Sequence, residues 1–381
     1  MTYSPLFVFG LARSGTNLLA RMLDRHPSVS MALDPLLPLF RSLRNALVRT
    51  SAPDAVRQRF SPESPFQDYY FDSDGPALLD LILAAQADIP LNPVELVGLR
   101  KQSAERAALE SPALGIHMDK LTGSNYGELL RSGLDIVAAV KPGVRWAGIK
   151  EVWVLEYIPL LARLFPDARF IALERDPRAV IASLLAMAKK DPTQAAHPPS
   201  YLRHWRKQVA LTHHFALDPS LKGRFRCISF ERLATEPEAE AHKLCVELDI
   251  TFTPEMLRLS ANGWQGNSSF DHAGKDIHAE TVDRWRQFLP ERAIQTADYL
   301  CGPEMALTPY RPAGQPHIDN VLAYLQEAGL QAGSWRSDSG DLLTDLGGEM
   351  VRHLILKSID CPDTDLVRRC YLFDTLVNSI R

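Results

Sequence analysis

The amino-acid sequence predicts an α/β protein in which a parallel sheet is flanked by helices. The first observation is that short apolar runs alternate with segments that have the apolar spacing of helices. The second is a glycine-containing turn after the first run, which leads directly into a helical pattern that Pro27 ends. The runs that predict strands are LFVFGL (6–11), SVSMAL (28–33), WAGIK (146–150), RFIALE (169–174) and FRCISF (225–230).

The helical segments between these runs have apolar positions three and four residues apart. Proline near the start of one segment and acidic residues in the first turn of another are typical helix starts. The segments are TNLLARMLDRH (16–26), WVLEYIPLLARLF (153–165), PRAVIASLLAMAKK (177–190) and EPEAEAHKLCVELDI (236–250).

Two long regions do not follow the alternation. Residues 36–143 contain helical patterns such as YGELLRSGLDIVAAV and no strong strand, which predicts a large helical insertion over the sheet edge. The segment TPYRPAGQP (308–316) has three prolines and a glycine, which is typical of a boundary. The sequence therefore predicts a main domain over 1–312 and a small C-terminal appendage over 313–381, in which we find no chemistry motif.

The composition excludes several classes of protein. With 381 residues, a net charge of −4 and no 18-residue apolar run, the sequence indicates neither a nucleic-acid partner nor a membrane span. No secretory signal is evident, and the five cysteines include no C-x2-C pair, so we expect reduced thiols in a cytoplasmic protein. An oligomer remains open.

The turn after the first run resembles a phosphate-binding loop. Gly10 and Gly15 have the G-x4-G spacing of a Walker A loop, but Thr16 and Asn17 stand where Walker A has Lys and Ser or Thr. The cation in the loop is Arg13. Backbone amides and a helix N-terminus would bind an anion here in a P-loop-type sheet, whereas the missing lysine disfavours metal-assisted nucleotide hydrolysis. On spacing alone, a turn that only packs the helix is equally acceptable.

Four further residues are candidates for the same edge of the sheet. Arg175 ends a predicted strand and Ser183 follows it by eight residues in a helix, so the pair suits a second phosphate. Lys150 ends WAGIK and would add a positive charge. Asp34 follows the second run, where a carboxylate can act as a general base. Each residue taken alone is better explained as a surface or turn residue, Asp34 because Pro35 follows it.

Taken together, these motifs resemble the PAPS-dependent sulfotransferases, in the branch of bacterial and tyrosylprotein members. GLARSGTNLLARMLDRHP is similar to the family's 5′-phosphosulfate loop, with Ala12 in place of the usual proline. ERDPRAVIAS is similar to its 3′-phosphate motif, and FERLATEPE to its strand-to-helix segment. GNSSF (266–270) and RWRQFLPE (284–291) resemble C-terminal segments of the family. The resemblance covers roughly residues 1–40 and 145–305.

The resemblance implies a cofactor site for PAPS, with PAP as product and no metal. Arg175 and Ser183 would hold the 3′-phosphate, and Phe230 replaces a family tyrosine near the cofactor. Ser268 and Ser269 would complete the site. The 5′-phosphosulfate would be held by the loop residues Arg13, Ser14, Gly15, Thr16 and Asn17.

The resemblance also implies an enzyme that transfers a sulfuryl group to a hydroxyl or amine. Asp34 matches the base of the tyrosylprotein branch, Lys150 and Arg13 would stabilise the transferred group, and Glu151 is the second candidate base. The His base of cytosolic members is absent, since Val152 occupies its position.

The identity of the acceptor stays open among a small molecule, a carbohydrate, a lipid and a peptide. Two other functions also remain possible from the sequence: an ATP-dependent small-molecule kinase and a non-catalytic nucleotide-binding module.

Overall fold

The fold is built on one parallel β-sheet. The structure, a computed structural model, describes residues 2–63, 66–191, 197–259, 277–327, 342–358 and 363–381. The sheet has the strand order β2-β3-β1-β4-β5, and every neighbouring pair is parallel. The predicted fold class is therefore confirmed. The strands are β1 (Ser4–Gly10), β2 (Val29–Leu33), β3 (Trp146–Val152), β4 (Arg169–Glu174) and β5 (Phe225–Ser229).

The central strand β1 is buried on both faces, which explains its continuous apolar sequence. Leu6 and Val8 pack into the core on one face of the sheet, together with residues of the helix that follows β1. Phe7 and Phe9 point to the opposite face and pack into a larger core. Helices therefore cover both sides, and ligands have access only at the strand ends.

The described helices lie between and after the strands. Those around the sheet are α1 (Thr16–Asp24), α8 (Ile158–Leu164), α9 (Pro177–Lys190), α10 (Pro198–Leu217), α11 (Phe230–Thr235), α12 (Pro237–Glu247), α13 (Trp285–Phe288) and α14 (Glu291–Met305). Between β2 and β3 lie α2 (Leu37–Ser51), α3 (Asp54–Arg59), α4 (Gly75–Leu83), α5 (Pro93–Glu110), α6 (Pro112–Met118) and α7 (Tyr126–Val140). The C-terminal helices are α15 (Ile318–Glu327), α16 (Leu342–Lys357), α17 (Thr364–Tyr371) and α18 (Asp374–Ile380).

The region between β2 and β3 is helical, as the sequence predicts. Its described part contains no strand apart from an isolated bridge between Pro90 and Asn125. Its apolar side chains, among them Phe40, Leu79 and Tyr126, join the same core as Phe7. The insertion therefore packs directly on one face of the sheet. The domain boundaries predicted from the sequence remain a prediction.

Helix α16 is tied to the main body by buried ion pairs. Arg206 of α10 and Arg352 of α16 both contact Glu349, and Arg352 also pairs with Glu304 of α14. These four side chains are fully buried. Since burying an unpaired charge is costly, this cluster fixes where α16 lies against α10 and α14.

Within the described ranges, none of the helices combines the length and the apolar composition that a membrane crossing requires.

Candidate active site

The loop between β1 and α1 has the backbone of an anion-binding turn. Arg13 and Gly15 have positive φ angles of 73° and 95°, so the chain reverses sharply before α1 begins at Thr16. The backbone N–H of Ser14 donates to the carbonyl of Leu11 at 3.1 Å, and its hydroxyl donates to the same oxygen at 2.6 Å. The Ser14 side chain therefore shapes the loop from inside.

Gly15 is required by a close approach as well as by its conformation. A Cβ atom at this position would lie 2.3 Å from the ring of Phe230, which begins α11 immediately after β5. L-residues with side chains rarely adopt its φ angle. The Phe230 ring therefore packs against Gly15 and connects the loop after β1 to the carboxyl end of β5.

Arg175 lies directly after β4 and is buried without a carboxylate partner. Its guanidinium donates to the carbonyls of Arg13 (3.1 Å) and Thr281 (3.2 Å) and lies over the Phe230 ring at 4.2 Å. Its Nε has no hydrogen-bond partner, and no ion pair to Arg175 occurs in the part of the chain that the structure describes. Burial lowers the pKa of Arg175 to about 10. This buried cation is suited to an anionic ligand.

Arg13 connects the loop to α9. Its Nε donates to Ser183 Oγ at 3.1 Å, and Ser183 is buried two turns into the helix. The structure therefore brings Arg13, Arg175, Ser183 and Phe230 together at the carboxyl ends of β1 and β4. Thr16 lies at the start of α1, buried, and Asn17 follows it half-buried.

Lys150 and Asp34 form a second group on the other side of β1. The Lys150 ammonium pairs with a carboxylate oxygen of Asp34, and Val152 N donates to the other oxygen at 3.3 Å. Lys150 is buried, whereas the Asp34 side chain is 18% exposed. Lys150 does not end its strand as we predicted, because β3 continues to Val152.

Register places this second group close to the loop. Lys150 pairs with Leu33 on β2 and with Val8 on β1, two residues before Gly10 at the start of the loop. Neighbouring strands are about 4.8 Å apart. The two groups of side chains therefore lie at the same edge of the sheet, one on each side of β1.

Glu151 is placed quite differently from Asp34. It is adjacent to Lys150 in an extended strand, so its side chain points to the opposite face. It is fully buried and accepts a hydrogen bond from Leu36 N at 2.6 Å. Burial, and next the charge of Asp34, raises the pKa of Glu151 well above its usual value. A carboxyl that is fully buried is poorly positioned to accept a proton from a bound substrate.

Comparison with known proteins identifies the family. A family model described as "Sulfotransferase family" matches residues 5–254. The chain belongs to this family. The predicted relationship is confirmed, and the protein is a sulfotransferase, a transferase enzyme.

Several individual proteins are similar to the sulfotransferase. It is 24% identical over 356 residues to carbohydrate sulfotransferase 6 of Homo sapiens, covering 86% of each chain. It is 22% identical over 324 residues to protein-tyrosine sulfotransferase 2 of Gallus gallus, covering 82% of this chain and 70% of that relative. Among solved structures it is similar to the sulfotransferase domain from the curacin biosynthetic pathway, with a TM-score of 0.44, 16% identity and coverage of 86% and 98% of the two chains.

Some contacts of the sulfotransferase site were not predicted from the sequence. Glu231 accepts from Asp176 N at 3.0 Å and from the Tyr310 hydroxyl at 2.5 Å, and Trp205 Nε1 donates to the Arg175 carbonyl at 2.8 Å. Arg106 of α5 donates to the Asp34 carbonyl at 3.1 Å. Glu231 lies within the quoted FERLATEPE segment, so that motif was the available signal. Tyr310, Trp205 and Arg106 are far in sequence from the residues they contact, so no motif near those residues indicates them.

Two of the predicted cofactor residues, Ser268 and Ser269, lie outside the described residues. Among the residues that are described, no group of three or more His, Cys, Asp or Glu side chains is positioned to hold a metal ion.

Proposed function

We propose that this sulfotransferase moves a sulfuryl group from PAPS to a hydroxyl or amine of an acceptor. The observation that carries the proposal is Arg175, a buried guanidinium whose partners are two neutral carbonyls and an aromatic ring. Its unpartnered Nε and the linked pair of Arg13 and Ser183 supply donors for a phosphate. The donor set therefore fits the cofactor that the family resemblance implies.

The proposal assigns the two ends of PAPS to the two phosphate motifs. Arg175 and Ser183 hold the 3′-phosphate, and PAP remains in the same contacts as product. Phe230 lines the site between the loop and Arg175, and Ser268 and Ser269 remain predicted cofactor residues. The 5′-phosphosulfate is held by loop residues that the chain turn and the helix start bring together, namely Arg13, Ser14, Gly15, Thr16 and Asn17.

When bound, PAPS supplies a sulfuryl group whose bond from sulfur to the bridging phosphate oxygen breaks as the acceptor oxygen or nitrogen bonds to sulfur. Lys150 and Arg13 stabilise the negative charge that builds on the sulfuryl and bridging oxygens. Fixed donors of this kind are worth on the order of 10²–10³ in rate each. For this, the Lys150 ammonium turns from Asp34 toward the sulfuryl group.

Asp34 is proposed as the general base that takes the acceptor proton. It is partly exposed at the strand edge, and it lies beside the lysine that contacts the transferred group. Glu151 is sealed from solvent, with a pKa raised by burial, and is therefore the weaker candidate. The left-handed backbone of Asp34, with φ near 50°, is held by its hydrogen bond to the Lys150 carbonyl at 2.7 Å.

The names of two relatives support one chemical class of acceptor. The two relatives described above are named for carbohydrate and protein-tyrosine acceptors, so we propose a hydroxyl as the group most in keeping with the family.

The proposal is tested by turnover of [³⁵S]PAPS with a panel of hydroxyl and amine acceptors. We expect labelled product with the wild type, and a loss of at least about 10² in kcat for Arg13→Ala and for Lys150→Ala. Circular dichroism of each variant checks that the fold is retained. Unchanged turnover in both folded variants would refute the assignment.

A further inference from the structure

A cavity of about 240 Å³ lies between the helical insertion and α10, and none of the residues proposed for sulfuryl transfer lines it. Its walls come from the insertion, mainly the segment before α4, and from α10. Phe60, Phe66 and Tyr69 supply aromatic surface, and Asp68, Asp72 and His204 supply the polar groups on which the inference rests.

Trp153 links the wall of this cavity to the phosphate loop. The residue directly follows β3, and its backbone N–H donates to the carbonyl of Gly10 at 3.4 Å. Its ring meets the His204 ring edge-on, with centroids 4.7 Å apart, and the Tyr201 ring in the same way at 5.1 Å. Since His204 lines the cavity, Trp153 contacts both the cavity wall, through its ring, and the start of the loop, through its backbone.

The cavity has an excess of negative charge. Three aspartates line it, and the one lining arginine, Arg59, pairs with Asp74. Asp68 and Asp72 each accept a backbone N–H at 3.0 Å, from Tyr70 and from Asp74, and neither has a cationic partner among the described residues. Two carboxylates at its wall therefore have no ion-pair partner among the described residues, although Lys207 lies behind the wall and donates to the Gln67 carbonyl at 3.0 Å.

His204 supplies an independent sign that the cavity takes a ligand. Its side chain is only 8% exposed, and its Nδ1 is buried without a hydrogen-bond partner. Burial, followed by the charge of Lys207, lowers its pKa to about 3, so the ring is neutral at physiological pH. A neutral imidazole does not offset the two aspartates, and its buried nitrogen destabilises the protein unless a ligand satisfies it.

We propose that this cavity binds the acceptor, and that the acceptor is an aromatic or similarly flat molecule with a protonated amine. This inference rests on the proposed function. Asp68 and Asp72 contact the ammonium group, the aromatic walls pack on the body of the acceptor, and the hydroxyl to be sulfated passes Trp153 toward Lys150. Anionic acceptors are repelled by the same carboxylates.

Three phenols that differ in one charge test this inference: tyramine, 4-ethylphenol and 3-(4-hydroxyphenyl)propionate. Binding of each is measured by calorimetry with PAP present, and sulfation of each with [³⁵S]PAPS. We expect tyramine to bind about tenfold more tightly than 4-ethylphenol, because hydrogen bonds between charged groups are the strong ones. The propionate is expected to bind more weakly than both.

Three variants test whether the preference for tyramine arises in this cavity. Asp68→Asn combined with Asp72→Asn keeps oxygens that accept the backbone N–H groups, so the fold is retained, and the preference for tyramine should fall at least about threefold. Asp88→Asn removes one negative charge from an exposed position outside the cavity and should leave the preference unchanged. His204→Phe keeps a ring against Trp153 and should weaken binding of tyramine and 4-ethylphenol alike.

PAP affinity, measured in the same samples, distinguishes the possible failures. If PAP binds and the three phenols bind equally, or tyramine does not bind, the inference about the cavity is wrong while the proposed function stands. If the double variant keeps the full preference for tyramine, the cavity is not where the amine binds. If PAP itself fails to bind, the proposed function is wrong.

Discussion

At the scale of single residues, the site is defined by a buried cation, Arg175, that has no carboxylate partner among the described residues. Arg175 is buried against carbonyls and the Phe230 ring, and this costs stability in the absence of a ligand. Lys150, by contrast, is neutralised by Asp34. The two environments match the two proposed tasks. Arg175 holds the 3′-phosphate throughout the transfer, whereas Lys150 exchanges Asp34 for the sulfuryl group during it.

The first prediction concerns Gly15. Gly15→Ala should lower PAP affinity by at least about tenfold, because its φ angle is unfavourable for alanine and the new Cβ would overlap the Phe230 ring. Calorimetry with PAP measures the change. Gly98→Ala is the control, since nothing lies within 4 Å of a Cβ at that position in α5. Equal PAP affinity in the two variants would contradict the role given to the loop.

The second prediction separates the two candidate bases. Asp34→Asn should lower kcat by about 10²–10⁴, the usual contribution of a general base. Glu151→Gln should change kcat little, because the Glu151 side chain is fully buried and accepts a hydrogen bond from Leu36 N, so it does not reach a bound acceptor. Steady-state kinetics at neutral pH decide between them. A large loss in Glu151→Gln with a small one in Asp34→Asn would reverse the assignment.

Much of this residue-level picture could be predicted from the sequence. The two motifs that contain Arg13 and Ser183 were predicted to lie at the same edge of the sheet, but the hydrogen bond between these two side chains was not predicted. The ion pair of Lys150 with Asp34 was not predicted, since it depends on β3 and β2 being neighbours. His204 could not be identified, because a histidine in a helix has the same local sequence whether or not a cavity lies beside it.

At the scale of elements, the C-terminal helices support the wall of the acceptor cavity. Tyr69 and Phe71 have positive φ angles of 68° and 63°, which surrounding structure must maintain. Phe71 N donates to the carbonyl of Arg369 in α17 at 2.9 Å, and Arg203 of α10 lies over the Phe71 ring at 4.8 Å. The segment that carries Asp68 and Asp72 is therefore held both by α10 and by α17, which lies beyond the matched family region.

The third prediction tests this support. Gly348→Val in α16 would place a Cβ 2.7 Å from the Phe71 ring, so the segment must shift. We expect tyramine to bind more weakly, PAP to bind unchanged, and stability to fall by about 1–3 kcal/mol. Gly347→Val is the neighbouring control, since a Cβ there meets nothing within 4 Å. Identical tyramine affinity in both variants would show that α16 does not position the cavity wall.

The strands were predictable because each is an apolar run between turns, but their ends were not. Lys150 and Glu151 are adjacent charges that usually mark a strand end. The structure continues β3 through both, since Asp34 neutralises one and Leu36 N binds the other. The structural role of α16 and α17 could not be predicted either, because these helices contribute packing and ion pairs and contain no local chemistry motif.

At the scale of the whole molecule, buried ion pairs make the free energy of unfolding depend on pH in the acid range. Burial by itself would raise the pKa of Glu349, but Arg206, Arg352 and Arg203 outweigh it and lower that pKa to about 2. A carboxyl with a lowered folded pKa stabilises the protein above its unfolded pKa of about 4.5, and this stabilisation is lost as pH falls toward 2.

The fourth prediction follows from the lowered pKa of Glu349 in the folded protein. Glu349→Gln should lower the free energy of unfolding by about 3 kcal/mol at neutral pH. The difference from wild type should shrink between pH 4.5 and 2, where Glu349 becomes protonated in both states. Denaturant unfolding over this pH range measures the difference. A gap that stays constant down to pH 2 would show that Glu349 is not held ionised by the arginines.

The central claim, a site built for PAPS, is tested most directly by calorimetric binding of PAP, adenosine 5′-phosphate and ADP to the wild type and to Ser183→Ala. PAP and adenosine 5′-phosphate differ only in the 3′-phosphate. We predict that PAP binds at least about tenfold more tightly than either other nucleotide, and that the variant loses part of this preference. Equal affinity for PAP and adenosine 5′-phosphate, or a preference for ADP, would contradict the account.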